Sequence, residues 1–269
     1  MHGTLDTLEF VVGSSARREV LSRLASGPAT RQTVLDDTPS SKSSVYDSLN
    51  KLDEHGLVYQ QEDNRWATTA AGQVLSDAIA RCERTGSVLS EDGEYWERHD
   101  ASGVPDKFRA EFFTLDDHEI IRSPDSDPYR ASRRVADEIA AAECISVVTP
   151  VYHDRYAEAL NESPDSDRRL VVTPEMIQRI VVGSSEEVEG AKHVESRVYD
   201  ASFAMAVSDE TLLLSLPKLD GSYDPQTEVV VETDAAVDWG TRLFEHLWER
   251  AEDTEQFVAD RYDESERDA

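Results

Sequence analysis

Apolar residues recur at helical intervals from residue 14 onward. Val20, Leu21 and Leu24 share one face of a predicted helix, and the hydroxyl of Ser14 can cap its first turn. The pattern ends at Gly27, which is followed by proline, a pair typical of a helix terminus. The spacing therefore predicts a first amphipathic helix between residues 14 and 27.

Two shorter helices separated by a turn follow. The first runs from Thr30 to Leu35 and ends before Pro39, because proline cannot continue a helix and favours extended geometry in the residue before it. The serine-rich run 40–44 offers N-cap hydroxyls to the second helix, and Gly56 ends that helix in the left-handed conformation. The apolar stripe of this second helix consists of Val45, Leu49 and Leu52.

The opposite face of the helix after residue 41 is polar. Small hydroxyls let a helix sit deep in a major groove, and tyrosine, asparagine and lysine can contact base edges or phosphates. This composition indicates a surface that meets DNA. Its polar residues are Ser41, Lys42, Ser44, Tyr46, Asp47, Ser48, Asn50 and Lys51.

A hairpin is predicted next. Residues 57–60 and 66–68 alternate as strands around a turn at 62–64, and Arg65 is a candidate for a minor-groove or phosphate contact. Helix, helix, glycine and hairpin in this order predict a winged helix-turn-helix that binds double-stranded DNA. The alternative is a surface helix and hairpin without a nucleic-acid ligand. The candidate DNA-binding residues are Arg31, Ser41, Lys42, Ser43, Ser44, Tyr46, Asp47, Asn50, Lys51 and Arg65.

Residues 69–97 have a helical pattern. A helix in this position commonly pairs with its twin in a protein that reads two half-sites, so we expect a homodimer. The alternative is a connector packed on its own domain. The predicted stripe comprises Val74, Leu75, Ala78, Ile79 and Cys82, and the N-terminal residues expected to contribute are Leu5, Leu8, Phe10, Val11 and Val12.

Strands and helices alternate in the second half of the chain, after a break at 102–105. Strands at 145–149 and 169–173, each followed by a helix, favour a parallel α/β arrangement. The later strands are closer together, as in a meander, and a long helix covers 235–252. We therefore predict an α+β protein whose second domain is α/β with a mixed sheet. The later strands are predicted at 197–199, 203–207, 211–216 and 228–232.

A ligand site is predicted at the carboxyl ends of these strands, where open α/β sheets bind ligands. Two Thr-Pro pairs follow apolar strands there, and we expect them to help bind a small polar or anionic metabolite with Arg130 as charge partner. The alternative is that each Thr-Pro pair only starts a helix. The candidate ligand-binding residues are Tyr129, Arg130, Thr149, Tyr152, Tyr156 and Thr173.

The chain is strongly acidic, with 27 Lys+Arg against 56 Asp+Glu and a formal net charge of −29. Residues 1–70 hold seven basic and ten acidic residues, a net of −3, so the excess lies in the remainder. Molar salt shortens the Debye length to about 3 Å. This composition favours a protein of a salt-accumulating archaeon, and an ordinary acidic protein is the alternative. Because counterion release is weak in such salt, we expect DNA affinity to fall less steeply with KCl than for a basic regulator.

Cys82 and Cys144 do not form a set of metal ligands, and we expect both to be small apolar residues that fill space in the core. No metal ligand set, phosphate loop or nucleophile elbow is visible, so neither a cofactor nor a metal is expected. No run of 18 apolar residues and no signal pattern occurs, which predicts a cytoplasmic protein without a membrane partner.

Several stretches resemble the haloarchaeal and other archaeal winged helix regulators whose C-terminal effector domain is named after a methanogenesis and filamentation regulator, which are related to TrmB-like regulators. These stretches are GPATR at 27–31, SSVYDSLNKLDEHGLV at 43–58, TTAAG at 68–72, DPYR at 127–130, VVTPV at 147–151, FAMAVSD at 203–209 and the last helix at Trp239. The resemblance covers most of the chain, and the effector-domain motifs are short. It implies a transcriptional regulator, usually dimeric.

The effector fold of that family is similar to phospholipase D-type enzymes, which use a histidine and a lysine two residues apart. None of the seven histidines is followed by lysine at that spacing, so catalytic residues are not expected. We predict a winged helix at 1–70, a linker or dimerisation helix at 71–103, an effector domain at 104–252 and a charged tail at 253–269 that continues the last helix as a frayed end. A protein-interaction module without specific DNA binding is the alternative function.

Overall fold

The apolar residues of the first 84 positions collect into one core. A computed structural model describes residues 4–161, 167–182 and 194–262 and divides the chain into two units, Met1–Arg84 and Thr85–Ala269. The helices of the first unit are α1 (Thr4–Val12), α2 (Ser15–Ala25), α3 (Arg31–Asp37) and α4 (Lys42–Glu54). The strands β1 (Val58–Gln60) and β2 (Trp66–Thr68) form an antiparallel hairpin, and α5 (Ala70–Glu91) runs across the boundary of the two units.

Three of these helices begin at a capped residue. The side chains of Ser14, Thr30 and Ser41 each accept a hydrogen bond from the backbone N–H three residues on, which satisfies one free donor of α2, α3 and α4 respectively. Gly56 has φ 68°, so the predicted left-handed end of α4 is confirmed.

The predicted apolar stripes of α2 and α4 are confirmed as core. Val45, Leu49 and Leu52 are fully buried and pack in the cluster that holds Val20 and Trp66. Ser48 is different from the prediction: it is 2% exposed and lies on the buried side of α4, three residues after Val45. The polar face of α4 therefore does not include Ser48.

The predicted stripe of α5 is partly wrong. Ile79 is buried, but Val74 is 67% exposed and Cys82 is exposed. The buried side is instead shifted to Ser76 and Gly72, where a Cβ atom would meet the carbonyl oxygen of Leu57 at 1.9 Å. Glycine permits this close approach of helix and hairpin.

The second unit is built around a mixed sheet. The first elements of this unit in chain order are α6 (Gly93–Arg98), α7 (Asp106–Arg109), a 3₁₀ turn (Phe112–Leu115) and β3 (Glu119–Arg122). The alternating part comprises α8 (Arg130–Ala141), β4 (Cys144–Thr149), α9 (Asp154–Asn161), β5 (Asp167–Val172), α10 (Pro174–Val182) and β6 (Glu195–Val198). The remaining elements are β7 (Ala204–Ser208), β8 (Leu212–Ser215), β9 (Thr227–Val231), α11 (Asp234–Trp248), β10 (Glu252–Asp253) and α12 (Thr254–Tyr262).

Eight strands of the described chain form this sheet, in the order β10-β6-β5-β4-β7-β8-β9-β3. Strands β4, β5 and β6 are parallel, whereas β7, β8, β9, β3 and β10 pair antiparallel to their neighbours. The predicted combination of a parallel α/β part and a meander in one mixed sheet is confirmed.

The sheet is covered on both faces. Alternate residues of the strands enter one cluster with Trp239, Phe244 and Leu247 of α11, and the others enter a second cluster with Val135 and Ile139 of α8.

The predicted tail also differs from expectation within 253–262. Strand β10 pairs with β6 and separates α12 from α11, and Phe257 of α12 is buried in the second cluster. A frayed extension of α11 is therefore wrong.

Both cysteines differ from the prediction. Cys82 and Cys144 are exposed and unbridged, so neither fills a core. Cys144 is the first residue of β4, and the buried part of that strand begins at the next residue.

Candidate functional site

A serine cluster lies at the start of α4. The Ser41 hydroxyl accepts a hydrogen bond from the backbone N–H of Ser44 at 3.3 Å and lies 3.0 Å and 2.9 Å from the hydroxyls of Ser43 and Ser44. The structure thus brings these three predicted residues together. The exposed hydroxyl groups of Ser41 and Ser43 and the first N–H groups of α4 can donate hydrogen bonds of the kind that phosphate oxygens accept.

Two cations lie against aromatic rings next to this serine cluster. The guanidinium of Arg31 lies 5.6 Å from the ring centroid of Tyr46 and 5.2 Å from that of Trp66, and the Lys42 ammonium lies 5.5 Å from the Tyr46 ring. Cation–π contacts at these distances hold the cations above an aromatic platform. Arg31 and Lys42 are both exposed.

These two cations differ from most others in the first unit. Within its described part, Arg31 and Lys42 have no carboxylate within salt-bridge distance, whereas Arg18 pairs with Glu83 and Arg23 with Asp37. Their positive charge is therefore available to an external anion.

Two other predicted cations are already paired. Lys51 lies 2.8 Å from a carboxylate oxygen of Asp47, and Arg65 lies 2.7 Å from one of Asp63. The backbone N–H of Arg65 and then its side chain hold the pKa of Asp63 below its ordinary value. Asn50 is exposed on α4. The structure therefore places Arg65 at the hairpin turn with its own counterion.

The predicted ligand residues of the second unit fall into two groups. Thr149 and Tyr156 are buried and line the same cavity, of about 20 Å³. Tyr129 and Arg130 are exposed, and the Tyr129 ring lies beneath the guanidinium of Arg155 at 5.5 Å. The structure does not bring Arg130 into that cavity.

The remaining two have local roles in the fold. Thr173 accepts a hydrogen bond from the backbone N–H of Met176, and Pro174 is the first residue of α10, which is the geometry of a helix start. Tyr152 is partly buried and packs against the second cluster. Thr149 donates to the carbonyl oxygen of Val151 at 2.7 Å.

Two polar residues of the cavity were missed by sequence reasoning, Glu228 and Tyr223. Burial raises the pKa of Glu228 well above its ordinary value and raises the pKa of Tyr223 to about 12. Burial also raises the pKa of Tyr156, whose hydroxyl shares a hydrogen bond with Tyr223. The signal available in the sequence was a carboxylate directly before the apolar run 229–231.

Two classes of feature are absent from the described chain. No group of three or more His, Cys, Asp or Glu residues is placed to hold a metal ion. Across residues 4–161, 167–182 and 194–262, no helix has both the length and the apolar character needed to span a bilayer.

Comparisons with known proteins address each unit. Residues 128–250 match the family described as the middle domain of methanogenesis regulatory protein FilR1, and residues 5–88 match the HVO_A0261 N-terminal domain. The second unit is thus similar to a domain of a methanogenesis regulatory protein. Methanogenesis regulatory protein FilR1 of Methanothrix harundinacea (strain 6Ac) is 24% identical over 176 residues, which cover 61% of this chain and 39% of that protein. The chain thus matches less than half the length of this relative.

Solved structures were also compared. A chain of TrmBL2, described as an archaeal chromatin protein with a novel mode of DNA binding, has a TM-score of 0.39 and 17% identity, covering 94% of this chain and all of that one. Quinone-bound YodB from B. subtilis has a TM-score of 0.30 and 16% identity, covering 32% of this chain and 98% of that one.

Proposed function

We propose that this chain is a DNA-binding transcriptional regulator whose first unit is a winged helix-turn-helix. The observation that carries the proposal is the exposed face of α4, where the unpaired cations Arg31 and Lys42 flank Tyr46 next to the serine cluster. Helix α4 offers hydroxyls, an aromatic ring and the free cation Lys42, and α3 adds the free cation Arg31 beside them, which together have the chemistry needed in a major groove.

The proposed recognition works in two parts. Arg31 and Lys42 neutralise phosphates and set the register, and Tyr46 and Asn50 read base edges. The hairpin β1–β2 acts as the wing, from which Arg65 reaches a phosphate after leaving Asp63. Positioning and reading thus come from different residues.

The regulator is proposed to act as a homodimer. Leu8 and Val12 of α1 are 41% and 45% exposed, and Val74 of α5 is 67% exposed, so each helix carries apolar surface outside the core of its own chain. A two-fold dimer presents two copies of α4 to a pseudo-palindromic site.

The second unit is proposed to regulate the first by binding a small ligand and to act without catalysis. Its mixed sheet corresponds in this proposal to the phospholipase D-like fold that the sequence resemblance implies. The site of ligand binding is the cavity of Thr149 and Tyr156. The acidic composition supports a salt-accumulating, cytoplasmic setting.

A protein-interaction module is the second candidate. The pairs Asp47–Lys51 and Asp63–Arg65 favour it, because they remove much of the positive charge expected of a DNA-binding face. A basic protein partner would then contact the same carboxylates.

The test is selection of bound duplexes from a random DNA library in molar KCl. The wild-type chain should enrich a specific site, and Arg31→Gln with Lys42→Gln should abolish enrichment while the protein stays folded by circular dichroism. The matched control, Arg98→Gln with Arg179→Gln, makes the same charge change on α6 and α10 and should enrich as wild type does. Failure of the wild-type chain to enrich any site would favour the interaction module.

A further inference from the structure

A buried histidine lies directly after α6. The side chains of His99 and Asp224 are 4% and 5% exposed, and the Nε2 atom of His99 lies 3.1 Å from the Oδ2 atom of Asp224. The Nδ1 atom of the same ring lies 2.7 Å from the backbone carbonyl oxygen of Tyr95. Both ring nitrogens of His99 therefore face an oxygen atom.

The carboxyl group of Asp224 is ionised. Its Oδ1 atom accepts a hydrogen bond from the backbone N–H of Gln226 at 3.1 Å and lies 3.3 Å from the ammonium of Lys218. Its Oδ2 atom accepts a hydrogen bond from the hydroxyl of Thr227 at 2.7 Å. Burial opposes ionisation, but the hydrogen bonds from Thr227, Gln226 and His99 outweigh it and hold the pKa of this carboxyl below its ordinary value. Asp224 thus offers only acceptor atoms to His99.

These contacts fix the number of protons on the imidazole ring. A carbonyl oxygen and a carboxylate oxygen accept hydrogen bonds and do not donate them, so each ring nitrogen of His99 that faces one carries a hydrogen atom. A histidine with a hydrogen on both nitrogens is the positively charged imidazolium. The ring of Tyr95 stacks on it with the two centroids 4.0 Å apart, a contact that suits a cation. His99 and Asp224 therefore form a buried ion pair.

The ion pair joins two segments that are far apart in the sequence. His99 follows α6, and Asp224 lies in the loop between β8 and β9. The backbones of the two segments also meet, in an antiparallel bridge of His99 with Lys218 and a hydrogen bond of 2.8 Å from the N–H of Asp100 to the carbonyl oxygen of Pro217. Because α6 follows α5, the helix that runs across the boundary of the two units, the ion pair fastens the end of this connection to the second unit.

We propose that His99 is a proton-dependent latch that holds α6 on the loop between β8 and β9. The imidazolium donates hydrogen bonds to Tyr95 and Asp224 at once. When the proton on Nε2 passes to solvent, the nitrogen lone pair faces a carboxylate that is left buried without its counterion, which is costly. Histidine suits this role because it ordinarily changes charge between about pH 5 and pH 8. This inference goes beyond the proposed function and does not depend on DNA binding.

The other charged groups around the ion pair are of both signs. His99 and Asp224 line an open cleft of about 590 Å³, which brings solvent close to the pair. Arg122 on the rim of this cleft is also held by Asp92 at 2.6 Å. Because neither sign dominates, the direct contact with Asp224 has the largest influence on the charge of His99. The remaining charged residues that line the cleft are Glu94, Arg98, Arg122, Lys218 and Asp220.

Two buried groups nearby carry protons of their own. Burial raises the pKa of Tyr95, so this side chain stays neutral over the range in which histidine titrates. Burial also raises the pKa of Glu228 on β9 well above its ordinary value, so Glu228 takes part in the pH response of the same region. A measurement that tests the latch must therefore observe the His99 ring directly.

The test is nuclear magnetic resonance of the full chain with ¹⁵N-labelled histidine, recorded from about pH 5.5 to about pH 9. The two nitrogens of an imidazolium resonate close together, whereas those of a neutral ring lie far apart. His99→Gln identifies the signals of His99 among those of the seven histidines. Both nitrogens of His99 should be protonated at the acid end of the range, and Nδ1 alone at the alkaline end. A ring that keeps one protonation state throughout would overturn the proposal.

Two carboxylates of the cleft provide a variant and its matched control. In Asp224→Asn, His99 should lose its proton at a lower pH than in the wild-type chain, because an amide does not stabilise the imidazolium. Asp220→Asn removes a carboxylate from the same cleft that bonds to the hydroxyl of Ser222 at 2.6 Å, and it should titrate as wild type does. Equal titration of His99 in Asp224→Asn and in wild type would contradict the ion pair.

Hydrogen exchange of the wild-type chain tests whether loss of the proton opens the contact, and this measurement needs no variant to fold. The N–H groups of Asp100 and Leu219 donate to carbonyl oxygens across the contact. After correction for the intrinsic effect of pH, their exchange should accelerate as His99 loses its proton, while that of Leu213 within β8 should not. Exchange of Asp100 and Leu219 that is independent of the charge of His99 would overturn the latch.

Discussion

The carboxylate of Asp47 lies 2.8 Å from the Nζ atom of Lys51, one turn along the exposed face of α4. Asp63 holds Arg65 in the same way at the hairpin turn. Each carboxylate is an internal counterion that a DNA phosphate must replace. At two of the four cations of the proposed interface, Lys51 and Arg65, a carboxylate of the same chain therefore competes with phosphate.

Asp47→Asn should raise the affinity for duplex DNA roughly threefold to tenfold, because an exposed ion pair is worth up to about 1 kcal/mol and the negative charge facing phosphate is also lost. Fluorescence anisotropy with a labelled duplex measures the change. Glu94→Gln is the matched control, since it breaks a similar exposed i,i+4 pair with Arg98 on α6. Equal affinity of Asp47→Asn and wild type would show that Lys51 does not approach phosphate.

The salt dependence of DNA binding should be shallow. Only Arg31 and Lys42 are unpaired on the proposed face, and each phosphate contact contributes about −0.9 to the slope of log affinity against log salt. We therefore expect a slope of roughly −2 per chain. Asp47→Asn with Asp63→Asn should steepen it. A steep slope for the wild-type chain, as in a basic regulator, would contradict the assignment of two free cations.

Two glycines of α5 should respond oppositely to alanine. At Gly72 a Cβ atom would meet the Leu57 carbonyl oxygen at 1.9 Å, whereas at Gly86 nothing lies within 4 Å. Gly72→Ala should lower the free energy of unfolding by about 1–3 kcal/mol through overpacking. Gly86→Ala should raise it by roughly 0.5–1 kcal/mol through helix propensity. Urea unfolding followed by circular dichroism compares the two, and equal effects would disprove the close approach of helix and hairpin.

Stability should depend on pH through Glu228. Because its folded-state pKa is raised, its contribution is complete below the unfolded pKa of about 4.5 and is lost as the pH rises through the folded value. Asp224 and Glu138 act in the opposite sense, since hydrogen bonds hold their pKa values low despite burial and their contribution is lost as the pH falls.

Comparison of Glu228→Gln with wild type isolates the first effect, because Asp224 and Glu138 are shared. The free energy of unfolding of the variant, measured between about pH 5 and pH 8, should rise relative to that of wild type as the pH rises. A difference that is constant with pH would mean that Glu228 keeps the same protonation state in folded and unfolded chains.

The parts of the fold that depend on neighbouring residues were predictable. The N-caps at Ser14 and Ser41 and the left-handed Gly56 act within a few residues, so their sequence signals are local. Ser48 was misplaced because its polarity outweighed its spacing, which puts it on the stripe of Val45 and Leu52. The helical spacing of Ser48 predicted its burial better than its polarity did.

The site in the second unit depends on distant pairings. Thr149 and Tyr156 were predictable as neighbours because β4 leads into α9. Glu228 joins them only because β9 follows β8 and β7 away from β4 in the sheet, an order that local patterns do not encode. The exposure of Arg130, the first residue of α8, likewise could not be predicted, because its position after Asp127 does not indicate which side of the helix it occupies.

The most direct test of the proposed function is chromatin immunoprecipitation with sequencing, in cells of the source organism, of the wild-type chain and of Tyr46→Ala with Asn50→Ala. We expect sharp peaks over a pseudo-palindromic site for wild type and their loss in the variant at equal protein abundance. Absence of peaks for the wild-type chain, or peaks that the variant retains unchanged, would contradict the proposal that the exposed face of α4 reads DNA.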